Sequence, residues 1–236
     1  MTGLSTHDPR PTTHGFFVTG TDTGVGKTLV ACALLAAFAA RGMKAVGMKP
    51  VACGAEAGAN GLVNEDVERL MAAANVAAPR GHVNPFCFAP PIAPHIAARQ
   101  AGLAITLDRI ELSFNALVDL ADVIVVEGVG GFNVPLGPGT DTSQLAARLA
   151  LPVVLVVGMR LGCLNHALLT AEAVAARGLK LAGWVANHVD PQMAAADDNV
   201  RALEELIDAP QIARISFAGQ PDYRSIAASV NIPKPG

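Results

Sequence analysis

"GTDTGVGKT" (Gly20–Thr28) decides how this chain is read. The apolar run "GFFV" precedes it, and "LVACALLAAFAARG" (29–42) follows. A glycine-rich turn between a strand and a helix can point several backbone amides inward. The helix that follows adds its positive end, and together they form an anion seat. In the pattern Gly-x-x-x-x-Gly-Lys-[Ser/Thr], the lysine reaches the β- and γ-phosphates and the hydroxyl residue binds Mg²⁺. Lys27 and Thr28 fill those two places. Gly24 and Gly26 let the backbone approach the phosphates without a Cβ in the way. The position of the first glycine holds Thr21, with Gly20 one residue earlier.

Outward from this loop, strand and helix signals alternate. Strands are predicted at 16–20, 44–51, 122–128, 152–158, 181–189 and 211–217. Helices are predicted at 29–42, 64–76, 92–102, 106–120, 142–149, 165–178 and 194–207, with a short one near the end. Asn64 and Thr106 stand where helix caps belong. This alternation predicts an α/β fold: a doubly wound, mainly parallel sheet with helices on both faces and right-handed crossovers. No linker or repeat interrupts it. The expectation is one domain over 15–236 behind a flexible tail at 1–14.

Composition agrees. Of 236 residues, 51% are hydrophobic but only 4% aromatic, so the core is aliphatic. Net charge is −3 with no basic run, which argues against a nucleic-acid partner. No apolar stretch is long enough for a membrane span, and the N-terminus lacks a secretory core. The four cysteines form no Cys-x-x-Cys pair, so reduced thiols in a cytoplasmic protein are expected.

Ligands of doubly wound sheets sit beyond the carboxyl ends of the strands. Glu127 ends the buried run "VIVVE", where a carboxylate is costly unless paired or metal-bound. "EGVGG" (127–131) supplies a second glycine turn. Asp66 lies in the first turn of a helix, where the dipole alone favours an acid. Lys49 ends the second strand, because Pro50 takes the chain out of the sheet. There it can neutralise charge developing at a γ-phosphate. His95, Trp184, Cys32 and Cys163 read as structural residues.

"GTDTGVGKT", "GMKPVACG", "NPFCFAPPIAPHIAAR", "VIVVEGVGGFNVPL", "LPVVLVVGMRLGCLNHALLT" and "LAGWVANHV" together resemble the dethiobiotin synthetases, over about residues 16–217. The resemblance implies a P-loop enzyme that closes the ureido ring of dethiobiotin from 7,8-diaminopelargonic acid, CO₂ and ATP. It implies a Mg²⁺-dependent homodimer. It assigns Thr28, Asp66 and Glu127 to the metal. Thr23, Gly24, Val25, Gly26, Lys27, Thr28, Gly128, Val129 and Gly130 go to the phosphates, and Asn187, His188, Ser216, Phe217 and Ala218 to the base. Lys49 matches the catalytic lysine, acting with Lys27 and Thr23. Thr23, Lys49, Cys53 and Gly130 line the diamine end. Gly162, Cys163, Leu164 and Asn165 match a helix start that binds the substrate carboxylate across the dimer.

The sequence departs from the family at Gly24, where glutamate is common, and at Cys53, where serine is common. His188 replaces an aspartate, Asn199 a tyrosine, and Ser216 lies in a frequent Ile-Pro segment. Two other uses of the same sheet compete. A partitioning-type switch ATPase carries a signature lysine where this loop has Asp22. A cobyrinate-type amidotransferase needs a glutaminase domain for which 236 residues leave no room.

Overall fold

The computed structural model describes residues 14–219 and 221–232. The tail expected at 1–14 lies, apart from His14, outside them. In chain order the elements are β1 (His14–Gly20), α1 (Lys27–Ala40), β2 (Ala45–Met48), β3 (Val51–Cys53), β4 (Glu56–Gly58), β5 (Gly61–Val63) and α2 (Glu65–Ala73). Next come α3 (Arg80–Val83), β6 (Phe86–Phe88), α4 (Pro94–Gln100), α5 (Leu107–Val118), β7 (Val123–Glu127), β8 (Pro135–Gly137), β9 (Thr140–Asp141) and α6 (Thr142–Leu149). The chain continues with β10 (Val153–Met159), α7 (Cys163–Ala176), β11 (Leu181–His188), α8 (Ala196–Leu206), β12 (Gln211–Ile215) and α9 (Tyr223–Ala227).

Six strands form the main sheet in the order β12-β11-β10-β1-β7-β2, and every pairing is parallel. Strand side chains alternate between faces, and two cores result. Phe16, Val18, Val123 and Val125 face α1, while Phe17, Ile124 and Val126 face the opposite layer. Both faces are covered, which is why these strands read as continuous aliphatic runs. Helix α1 is buried on nearly every side, wedged between the sheet, α2 and α9. A helix apolar all round fits such a slot. Trp184 is fully buried in the core beside α7 and α8.

β1 lies between β7 and β10. The chain leaves β1 toward β2 on one side and later fills β10, β11 and β12 on the other. That reversal opens a crevice at the carboxyl end of β1, and the glycine-rich loop sits there.

The expected strand at 44–51 is shorter. It leaves the main sheet after Met48, and Val51–Cys53 pair instead with Phe86–Phe88 in a separate two-stranded sheet. Pro50 has no amide to give a ladder, so the chain turns out there. The helix expected at 92–102 starts at Pro94, whose fixed φ suits a first turn. Asn64 caps α2 by accepting from the amides of Asp66 and Val67. Thr106 precedes α5, but its hydroxyl makes no capping bond, which corrects that part of the sequence reading. All four cysteines are free. Among the described residues no helix is long and apolar enough to cross a membrane.

Candidate active site

The loop from β1 to α1 is held by the end of β10 and by β11. The Thr21 amide donates to the Val156 carbonyl at 3.0 Å, and the Gly158 amide to Thr21 Oγ1 at 3.3 Å. Asn187 ends its buried run on β11 and donates through Nδ2 to the Val25 carbonyl at 2.8 Å. Gly26 is required where it stands. Its φ is +94°, and a Cβ there would lie 2.3 Å from Asn187 Nδ2. Asp22 accepts the Thr23 amide at 2.7 Å and pairs with Arg160, which follows β10. Lys27 Nζ donates to the Asp22 carbonyl at 2.9 Å.

At the carboxyl ends of β2 and β7 a buried ionic cluster faces this loop. Lys49 Nζ lies 2.5 Å from Glu127 Oε1 and 3.0 Å from Asp66 Oδ2, and donates to the Gly128 carbonyl at 3.3 Å. Thr28 Oγ1 stands 2.7 Å from Asp66 Oδ1 and 2.9 Å from Glu127 Oε1. One hydroxyl proton cannot serve both carboxylates at once. Glu127 Oε2 is buried with no hydrogen-bond partner among the described residues. Such an excess of oxygen acceptors around one point is what a hard cation such as Mg²⁺ uses. The described residues hold no group of three His, Cys, Asp or Glu side chains that could bind a metal. The two carboxylates that meet there, Asp66 and Glu127, have the Thr28 hydroxyl between them.

The electrostatics follow from burial and pairing. Burial opposes the charge on Lys49, but Glu127 and Asp66 outweigh it and raise its pKa. Burial raises Glu127, with the Lys49 ammonium opposing. Asp66 ends below its usual value, because Lys49 and the Thr28 hydroxyl overcome its partial burial. Lys27 falls to about 8, through burial first and then repulsion from Lys49. The Cys53 thiol is raised by burial, so it stays protonated.

These groups line one cleft of about 960 Å³. Of the residues singled out in the sequence, Thr23, Gly24, Gly26, Lys27, Thr28, Lys49, Cys53, Asp66, Glu127, Val129 and Gly130 line it, as do Asn187, His188, Ser216, Phe217 and Ala218. Val25 is fully buried beneath the loop and Gly128 lies behind its turn, so these two bear on the cleft only through backbone. Gly162, Cys163, Leu164 and Asn165 form the start of α7 and do not line this chain's cleft. The cleft also includes Asp22, Arg69, Val134 and the 91–94 segment, which the sequence reading did not assign. Arg69 had a visible signal: it stands three residues after Asp66, on the same helix face.

His188 lines the cleft next to Asn187. Its Nε2 accepts from Arg214 Nε at 3.2 Å. A guanidinium only donates, so this contact requires the neutral imidazole with its proton on Nδ1. Partial burial and the Arg214 charge lower its pKa accordingly.

A parallel sheet of this order, with a Gly-Lys-Thr loop at the reversal and acids on the adjoining strand and helix, defines a P-loop nucleotide-binding protein. The AAA domain family matches residues 14–221. A ParA family ATPase from Chlorobium tepidum has the same fold at a TM-score of 0.53 and 13% identity, covering 88% of this chain and 86% of that one. The sequence relatives are nearer. The ATP-dependent dethiobiotin synthetase BioD of Aromatoleum aromaticum is 53% identical over 92% of this chain and 97% of its own. That of Ralstonia nicotianae is 55% identical over 92% of this chain and 94% of its own. The chain belongs to the ATP-dependent dethiobiotin synthetase family.

Proposed function

We propose that this cleft binds ATP along residues 23–28 and closes the ureido ring of dethiobiotin beside Lys49. As a family member the chain is an ATP-dependent ligase of the dethiobiotin-forming step of biotin synthesis. The observation that carries the residue-level reading is the meeting of Lys49, Thr28, Asp66 and Glu127 next to the loop.

The base end of ATP rests against Asn187, His188 and residues 216–218. Loop amides and Lys27 hold the phosphates. Thr28, Asp66 and Glu127 would hold Mg²⁺, which supplies charge neutralisation for the phosphates when bound. One amine of 7,8-diaminopelargonate takes up CO₂ as a carbamate. Lys49, Lys27 and the amides near Thr23 and Gly130 stabilise its charge. The carbamate oxygen attacks the γ-phosphorus in line and ADP leaves. The second amine attacks the carbonyl carbon of the mixed anhydride, phosphate departs and the ring closes. No side-chain nucleophile is needed. Holding the groups in line can supply roughly 7–11 kcal/mol of the barrier.

Cys53 lines the diamine end, where its protonated thiol contributes no charge. The start of α7, Gly162–Asn165, would receive the substrate's tail carboxylate in a partner copy, because free helix amides suit an anion. On this reading the enzyme works as a homodimer in the cytoplasm, and residues 15–236 are taken as one domain.

Incubating the protein with diaminopelargonate, bicarbonate, Mg²⁺ and ATP, and reading products by mass, tests this reading. Dethiobiotin and ADP in equal amounts are expected. ATP turnover that responds to DNA or lipid, with no dethiobiotin, would replace it with a switch ATPase.

A further inference from the structure

Among the described residues, three cations and three carboxylates line the cleft: Lys27, Lys49 and Arg69 against Asp22, Asp66 and Glu127. Five of these six are engaged with one another or with nearby groups. Lys27 is held by the Asp22 carbonyl, Lys49 by Asp66 and Glu127, and Asp22 by Arg160. Arg69 differs. Its guanidinium makes no hydrogen bond among the described residues, and its one ion partner there is Glu65 on its own helix, at 3.6 Å. Glu65 is 85% exposed, and an exposed i,i+4 pair holds its partners only weakly.

The position of Arg69 is specific. Helix α2 is anchored to the first turn of α1 by the contact between Asp66 and Thr28. Arg69 lies one turn further along α2, on the face that carries Asp66. Its guanidinium reaches back one turn along α2, to Glu65 at 3.6 Å. Leu29 lines the cleft with it, and its charge is felt by the Cys32 thiol on the next turn of α1. Arg69 thus lines the same cleft as Gly26, Lys27 and Thr28, the helix start whose amides can seat an anion.

We infer that Arg69 is a binding residue for the phosphate chain of the nucleotide. It donates to non-bridging phosphate oxygens from the flank opposite the 22–24 turn. Its planar fork suits phosphate geometry better than an ammonium does. This rests on the reading of the cleft as a nucleotide site, but not on the reaction that follows.

The test is nucleotide affinity of Arg69→Ala and Arg69→Lys, measured by calorimetry for ATP and ADP with Mg²⁺ at two salt concentrations. Arg69→Ala is expected to weaken nucleotide binding by about tenfold and to flatten its salt dependence. In turnover, the loss falls on KM for ATP rather than on kcat. Arg69→Lys recovers part of it. A loss shared by ATP and ADP places the contact on the α/β-phosphates, and a loss confined to ATP places it on the γ-phosphate; either supports the inference. Unchanged affinity for both nucleotides overturns it, as does an effect seen only in the KM for diaminopelargonate or bicarbonate. If wild-type protein binds ATP but forms no dethiobiotin, the proposed reaction fails while the Arg69 measurement still reads out.

Discussion

The side-chain amide of Asn84 donates to the backbone carbonyl of Lys49 at 2.6 Å, and to that of Phe86 at 3.0 Å. The Lys49 amide in turn donates to the Val83 carbonyl at 2.8 Å. Lys49 is thus fixed by its main chain at the point where Pro50 takes it out of the main sheet. Asn84 is buried, and truncating it leaves two carbonyls without their donor. Asn84→Ala should cost about 1–3 kcal/mol of stability and reduce kcat more than it raises KM for ATP. Urea titration and steady-state kinetics check both. Wild-type kcat in a destabilised Asn84→Ala protein would separate this residue from the placement of Lys49.

Gly24 and Gly26 have the same backbone handedness but different surroundings. A Cβ on Gly24 (φ +75°) meets nothing within 4 Å, whereas one on Gly26 (φ +94°) would strike Asn187. Gly24→Ala should cost only the conformational strain, about 1 kcal/mol, and keep its affinity for ATP. Gly26→Ala must also break the bond from Asn187 to Val25 and should lose ATP binding. Thermal melts with and without ATP distinguish them. A nucleotide-induced shift in Gly26→Ala equal to wild type would contradict this.

Lys27 has a pKa lowered to about 8 by burial and by Lys49. A bound triphosphate favours its protonated form and raises that value. Above about pH 8 part of the free protein carries neutral Lys27, so nucleotide binding takes up a proton and affinity falls as pH rises. Near pH 7, Lys27 is already protonated, and uptake should vanish. Calorimetry at pH 7 and pH 8.5, in buffers of different ionisation heat, reads this directly. Proton release at pH 8.5 would show that the shift is misassigned.

Leu161 is 95% exposed, immediately before the helix start at Gly162. If a partner copy uses that helix start, Leu161 lies at the contact. Leu161→Glu should shift sedimentation toward monomer and raise KM for diaminopelargonate, leaving ATP affinity intact. A fully active monomeric variant would place the whole substrate site within one chain.

Much of this was legible in the sequence, for definite reasons. The buried parallel strands show as aliphatic runs, and the loop "GTDTGVGKT" marks the crevice they share. Lys49 was placed at the sheet edge by Pro50 alone. The pairing of Lys49 with both carboxylates was not legible, because no spacing rule links residues 49, 66 and 127 across three elements. Asn84 was hidden for the same reason: its bond to the Lys49 carbonyl spans 35 residues. The pairs β3–β6, β4–β5 and β8–β9 are too short to show a period. Its position alone leaves Asp66 an ordinary first-turn acid; the family resemblance singles it out for the metal, and the structure sets it 2.7 Å from the Thr28 hydroxyl.

The most direct measurement compares Lys49→Ala with wild type in two assays on the same preparation: ATP affinity by calorimetry and dethiobiotin formation by mass. The expected result is ATP affinity within several-fold of wild type and ring formation reduced by at least about 10²-fold, the scale for removing one group that stabilises developing charge. Near-normal dethiobiotin formation by Lys49→Ala would contradict the placement of the chemistry at the Lys49, Asp66 and Glu127 cluster.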